Sequence, residues 1–374
     1  MAPHEIAAVD GPHLFHSFWI AGFGSNDNRW ADRGSSVPQF GPDPGRADRY
    51  YRWLRDLRIG TACEQVVWQL VDCGGDIDCE ILRPALEAAD RYGIQVIWDL
   101  SPSSAPEGLD SMSEDFPRRF AESCHAVTSY VSQWTGGSHF YRLTGTPVSR
   151  DAAEQEGLRR PVRGRPREAR RQLVRATIAG CDAIWAADPS ARIIHVAQGV
   201  AGAAVHSGSA AAAPRGQIET WDMLTGSASP ELGGRPRYLD IVALSFFSSR
   251  EPRRRRQTSV EGAARPTTLP TTFHEIARDL YRRYERPMIV GEPPNVRRSV
   301  LGDMLNEVCR AIALGVFFEG VCVDPLMEQR RTTGGTRSTD VGIDPSIVRQ
   351  FRRCRNILAQ IGWGDTHHFA EGMA

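Results

Sequence analysis

Short apolar runs alternate with amphipathic stretches from one end of the chain to the other, and this alternation limits the possible folds more than any other feature. The runs are FWIAGF from Phe18, CEQVVWQL from Cys63, IQVIWDL from Ile94 and HFYRLT from His139, followed by RIIHVA from Arg192, LDIVALSFF from Leu239, PMIVGE from Pro287 and GVCVDP from Gly320. Most are too short for helices, are rich in Val and Ile, and alternate too little to have one wet face. Such runs mark strands buried on both sides, as in a parallel sheet. Between them, DCEILRPALEAADRYG, REARRQLVRATIAGCDAIWAADP, TTFHEIARDLYRRY, SVLGDMLNEVCRAIALG and PSIVRQFRRCRNIL place apolar residues at helical spacing. The first opens on Asp78 as an N-cap and closes on Gly93, while ADRYYRWLRDLRIG precedes the second strand. Eight strand–helix repeats predict an α/β fold, a (β/α)8 TIM barrel built as a single domain over 1–374. The competing doubly wound sheet lacks its G-x-G-x-x-G fingerprint at the first βα turn.

Three segments interrupt the rhythm. GLRRPVRGRPREARR follows the fourth strand and SSREPRRRRQTSVEGAARPTTLP the sixth; both are rich in Arg and Pro without apolar period. AVHSGSAAAAPRG, after the fifth, reads as a small-residue flexible insertion. All three fall on βα connections, which gather at the C-terminal face of a barrel, where its active site lies.

Composition narrows the chemistry. All 45 basic residues are Arg. Without lysine there is no amine for a Schiff base and no P-loop phosphate ligand. The 45 acidic residues bring the formal charge to zero, so no global field favours nucleic acid or a membrane surface. Nor is there a stacking motif for nucleic acid. The eight cysteines show no C-x-x-C pair and no zinc-type spacing, and His367 and His368 lack other ligand types nearby. No metal and no cofactor are therefore expected. Reduced thiols, a first segment without signal-peptide character and no apolar run near the roughly 20 residues of a membrane span predict a cytoplasmic protein.

In a barrel, the polar residues at the C-terminal strand ends are the site candidates. They are Glu64 on strand two, Asp99 on three, Thr144 to Thr146 on four, His195 and Gln198 on five, Ser245 on six, Glu292 on seven and Asp324 on eight. Glu292 follows an apolar strand and precedes two prolines (VGEPPN), which presents a carboxylate at a rigid rim. Pairing to an Arg would explain it equally well. Asp99 and Asp324 each precede a turn, where Asp also serves as a local cap. Glu292, Glu64, Asp99, Asp324 and Thr146 are the candidate catalytic positions. Trp68, Trp98, Gln198, Ser245 and Phe247 are the candidate substrate contacts. His195 sits inside an apolar run and reads as a satisfied core histidine.

Taken together, FHSFWIAGF, GIQVIWDLS, RRQLVRATIAGCDAIWAADPSARIIHV, YLDIVALSFF and ERPMIVGEPP resemble the strand landmarks of clan A retaining glycoside hydrolases, bacterial β-glucosidase-like proteins in particular, from about Phe15 to Leu358. The resemblance implies a nucleophile at Glu292. It also implies an Asn-Glu acid/base pair at the end of strand four, where this chain has Gly145 and Thr146 in YRLTGTPVS. The Arg of strand two is replaced in TACEQVVW, the His after strand three in DLSPSSAP, and the Asn-Tyr-Tyr of strand six by Ser245, Phe246 and Phe247; Asp324 stands where strand eight would carry an aromatic.

Retaining hydrolysis needs two carboxyl groups about 5–5.5 Å apart. A threonine hydroxyl delivers no proton near neutral pH, and losing general acid catalysis costs on the order of 10²–10⁴ in rate. Three readings follow. The first is a repurposed barrel acting on a small polar or sugar-like molecule in secondary metabolism, with Glu292 as acid or base. The second is a retaining β-glycosidase with an acid relocated to Asp99 or Glu64. The third is a non-catalytic binding protein that uses the old cleft, or the Arg-rich loops with Arg253 to Arg256 holding an anionic ligand.

Overall fold

The computed structural model describes residues 14–22, 44–100, 102, 105–106, 108–135, 139–144, 166–197, 212–245, 272–291, 300–323, 327–331, 337–343, 348–349, 351–353 and 356. Eight parallel strands close into a barrel: β1 (Trp19–Ala21), β2 (Thr61–Val66), β3 (Gln95–Leu100), β4 (Phe140–Thr144), β5 (Arg192–Ala197), β6 (Ile241–Ser245), β7 (Met288–Gly291) and β8 (Phe318–Val323). Each strand pairs with its neighbour in sequence, and β8 returns to β1 with Trp19 opposite Val321. Helices α1 (Pro44–Asp56), α2 (Arg83–Tyr92), α3 (Asp115–Trp134), α4 (Pro166–Ala187), α5 (Ala212–Thr225), α6 (Phe273–Tyr284) and α7 (Val300–Ala313) connect them. The eight-stranded reading of the sequence is the observed architecture.

Local chemistry explains several boundaries. Asp78 Oδ1 accepts the Glu80 N–H at 2.9 Å, so it caps the turn that leads into α2. Gly93 closes α2 in the left-handed region at φ 66°, a conformation glycine reaches at little steric cost. Strand two ends earlier than its apolar run suggests, because Trp68–Val71 form one helical turn. That turn packs the Trp68 ring against Phe116 and Phe120 of α3, with centroids 5.5 and 5.3 Å away. Two interrupting segments are also shorter than expected. Helix α4 begins at Pro166 inside the first Arg-rich stretch, proline being well suited to a first helical turn. Helix α5 begins at Ala212 within the small-residue insertion, where alanine favours helix. The segment after β6 lies outside the described residues.

Two apolar layers form. Ile20, Cys63, Ile97, Phe140, Ile194, Val196, Ile241, Ala243, Ile289 and Cys322, joined by Phe15, fill the barrel lumen. A larger layer lies between strands and helices and includes Trp19, Ala62, Val66, Trp98, Tyr141, Leu143 and Leu244. At the N-terminal end of the barrel, Phe15 packs on Phe140 with ring centroids 4.9 Å apart. The Leu14 N–H donates to Glu319 Oε2 and Gln95 Nε2 to the Leu14 carbonyl, each at 3.2 Å. This plug closes the N-terminal end of the barrel. A bulge between Phe318 and Gly320 accompanies it. A Cβ on Gly320 would lie 2.8 Å from Ile20 Cδ1 and 3.1 Å from the Phe18 carbonyl, so only glycine fits there without a shift.

Candidate functional site

Strand residues alternate between lumen and helix layer, and this parity sorts the candidates. On β3, Ile97 belongs to the lumen and Trp98 to the helix layer, which turns Asp99 inward. On β4, Phe140 faces the lumen and Tyr141 and Leu143 face the helices, so Arg142 also points inward. The two meet: Arg142 Nε lies 3.7 Å from Asp99 Oδ2, with both side chains almost fully buried. Arg142 Nη1 lies 3.8 Å from Cys63 Sγ, the inward residue of β2. Ser245 shares the inward parity of Ile241 and Ala243 and reaches the rim beside Gly291.

Glu64 is placed differently from its expected role. It alternates with Cys63 and lies in the layer of Ala62 and Val66, fully buried. Tyr51 of α1 donates its hydroxyl to Glu64 Oε1 at 2.9 Å. Burial, reinforced by the Glu64 charge, holds the Tyr51 phenol well above its usual range. Glu64 thus braces helix to barrel wall, behind the lumen rather than beside its mouth. Trp98 and Trp68 likewise lie in the helix layer instead of lining a ligand cleft. The Trp68 indole donates to Asp72 Oδ2 at 3.2 Å, and Arg119 Nη2 reaches both oxygens of Asp72 at 2.6 Å. That buried network fixes the connection after β2. Thr146, Gln198, Phe247, Glu292 and Asp324 fall outside the described residues, as do Arg253 to Arg256.

His195 is in the core, but it is not a satisfied histidine. It shares the parity of Ile193, on the helix side of β5, and is 1% exposed. Among the described residues neither ring nitrogen makes a hydrogen bond of good geometry. Burial pushes its pKa down to about 4, opposed by the Asp240 charge and the Tyr238 backbone.

Sequence reasoning missed Arg142. Its signal is the one charge inside the apolar run HFYRLT. A second omission is the antiparallel hairpin after β8, Met327–Arg331 with Arg337–Ile343, which pairs Arg331 with Arg337. Among the described residues no group of three or more His, Cys, Asp and Glu could hold a metal ion, and no described helix is long and apolar enough to cross a membrane. None of the described cysteines is in a disulfide.

Comparison with solved structures places this architecture. A β-glycosidase, BGL167, superposes with a TM-score of 0.57 at 15% identity, covering 93% of this chain and 97% of that one. The family 1 β-glucosidase from Thermotoga maritima gives 0.59 at 13% identity over 91% and 97%. The AHE enzyme from Alicyclobacillus herbarius gives 0.62 at 12% identity over 92% and 99%. The chain has the fold of the family 1 β-glucosidases. At these identities the likeness is one of fold, since one barrel supports many chemistries. No family model and no curated protein matches the sequence.

Proposed function

We propose that this protein is a glycosidase-fold barrel remodelled away from ordinary retaining hydrolysis, acting on a small polar or sugar-like molecule with Glu292 as its acid or base. A role in specialised metabolism inside the cytoplasm, where the described cysteines, none of them in a disulfide, would stay reduced, fits this reading. The observation that carries it is the pairing in the lumen. Of the two described candidate carboxylates, Glu64 faces the helices, and Asp99 is engaged by the Arg142 guanidinium. An ionised carboxylate beside a guanidinium accepts hydrogen bonds and has no proton to give a leaving group. The sequence adds that Thr146 stands where a general acid would be. A relocated acid at Asp99, the requirement of a true retaining glycosidase, conflicts with that ion pair.

The test is turnover by purified protein across sugar phosphates, uronic acids and other small polar metabolites. Glu292→Gln is expected to lower kcat/KM by roughly 10²–10⁴, the usual contribution of a positioned acid or base. Glu64→Gln should leave kcat/KM within about twofold, because its partner lies on α1. Absence of turnover, together with an unaffected producing pathway in cells carrying Glu292→Gln, would remove the catalytic reading and leave a binding protein.

A further inference from the structure

We propose that Thr135, His139 and Asp188 form a second, hydrolytic site at the N-terminal end of the barrel, with Thr135 as the nucleophile toward a carboxylic ester. The three residues come from the end of α3, the position before β4 and the turn between α4 and β5. Those connections gather on the face opposite the strand-end candidates. The proposal therefore stands independently of the reading of the lumen.

The three side chains are linked end to end. Thr135 Oγ1 lies 2.6 Å from His139 Nε2, and His139 Nδ1 lies 2.6 Å from Asp188 Oδ2. Asp188 is itself held, since its Oδ1 accepts the Ser190 N–H at 2.9 Å and the Ser190 hydroxyl at 2.7 Å. Burial works to raise its carboxyl, yet the bonds from Ser190 and His139 outweigh burial and hold it below the usual range. An ionised Asp188 only accepts, so Nδ1 carries the imidazole proton and Nε2 presents a lone pair to the Thr135 hydroxyl. The Thr135 carbonyl, 3.2 Å from the same Nε2, accepts from the imidazolium once the hydroxyl proton has moved. His139 and Asp188 are largely buried, while Thr135 is half-buried and follows the exposed Trp134. The nucleophile is thus the outermost member, next in sequence to an apolar ring suited to an aryl or short acyl group.

A second trio shows how the same residue types look when they only build structure. His274 Nδ1 lies 2.8 Å from Glu307 Oε2, and its Nε2 lies 3.2 Å from Thr272 Oγ1. There the Thr272 hydroxyl donates to Glu275 Oε2 at 2.8 Å, within the capping box that starts α6. Its proton is committed to the cap. Thr135 starts no helix; it follows α3 in extended conformation, at φ −129° and ψ 140°. Among the described residues its hydroxyl is bonded to His139. A brace between α3 and α4 would need the His139–Asp188 bond and no hydroxyl.

In the reaction, Thr135 Oγ1 adds to the ester carbonyl carbon while its proton passes to His139 Nε2. The adduct collapses by breaking the bond to the leaving oxygen, which takes that proton and departs as the alcohol. Water then adds to the acyl-threonine, giving a proton to Nε2, and the carboxylic acid leaves as Thr135 Oγ1 recovers it. Asp188 is a positioning residue, because it acts through His139.

The experiment is hydrolysis of 4-nitrophenyl acetate by the full chain, with the acyl-enzyme trapped in acid and located by peptide mass spectrometry. The wild type should turn the ester over and carry acetyl on Thr135. Thr135→Val, which is nearly isosteric, and His139→Gln should each lower turnover at least about a hundredfold. The double variant should be no worse than either single, as for residues that act as a unit. Thr135→Ser should retain turnover, and Thr272→Val, at the capping trio, should leave it unchanged. Asp188→Asn should lower kcat with KM unchanged, because its amide donates to Nδ1 and reverses the tautomer. Should His139→Gln fail to fold, Thr135→Val decides alone. No turnover, turnover that survives in Thr135→Val, a Thr135→Ser protein as inactive as Thr135→Val, or acetyl on another residue overturns the proposal.

Discussion

Replacing Trp98 with alanine is expected to lower the free energy of unfolding by about 3–5 kcal/mol, the range for emptying a large aromatic site in a packed core. The indole is 2% exposed and belongs to the layer between strands and helices. Its removal leaves a cavity behind the barrel wall while the lumen keeps its own side chains. Trp98→Phe, which retains much of the volume, should recover most of the loss. Denaturant unfolding of both variants, with titration of small polar metabolites alongside, separates packing from recognition. A stability loss under about 1 kcal/mol combined with abolished ligand binding would return Trp98 to the substrate contacts, because core truncation of this size is never so mild when packing is its role.

The second large effect is loss of stability in mild acid through His195. Its ring is neutral in the folded protein down to about 4, while an unfolded histidine titrates at 6.5. Between those values the unfolded chain binds the extra proton, so stability is complete above pH 6.5 and falls as pH drops toward 4. Integrated over that window the group removes about 3 kcal/mol. His195→Leu, which fills the site without a titratable ring, should be at least as stable at neutral pH because it removes a buried imidazole that makes no hydrogen bond of good geometry among the described residues. Its unfolding free energy should fall less steeply on acidification. Parallel curves for variant and wild type from pH 7 to 4.5 would show that His195 is protonated in the folded state.

The strand–helix order was legible because buried parallel strands leave apolar runs that stand out against amphipathic helices. The direction of each side chain was not. In TACEQV the inward residues Thr61, Cys63 and Gln65 are no more apolar than the outward Ala62, Glu64 and Val66, since both faces of the strand are covered. Glu64 therefore passes for a rim carboxylate until its bond to Tyr51 is known. The same ambiguity makes Trp98 look like a ligand platform. Helix α3 had a readable period in Phe116, Phe120, Cys124, Val127 and Val131, but intervening Ser, Thr, His and Cys are weak helix formers and dilute it. Arg142 announced itself only as a charge in an apolar run, and its closeness to Asp99 and Cys63 comes from closure of the sheet, which no local pattern encodes.

The central claim is that the catalytic pair of a retaining glycosidase has been dismantled in this barrel. The most direct measurement is hydrolysis of 4-nitrophenyl β-glycosides by the wild type and by Glu292→Ala, each with and without azide. Two opposed carboxyls define that chemistry. The expected result is no hydrolysis that depends on Glu292, with azide restoring nothing. Hydrolysis that disappears in Glu292→Ala and returns with azide as a glycosyl azide would contradict the claim and establish a working nucleophile with a relocated acid.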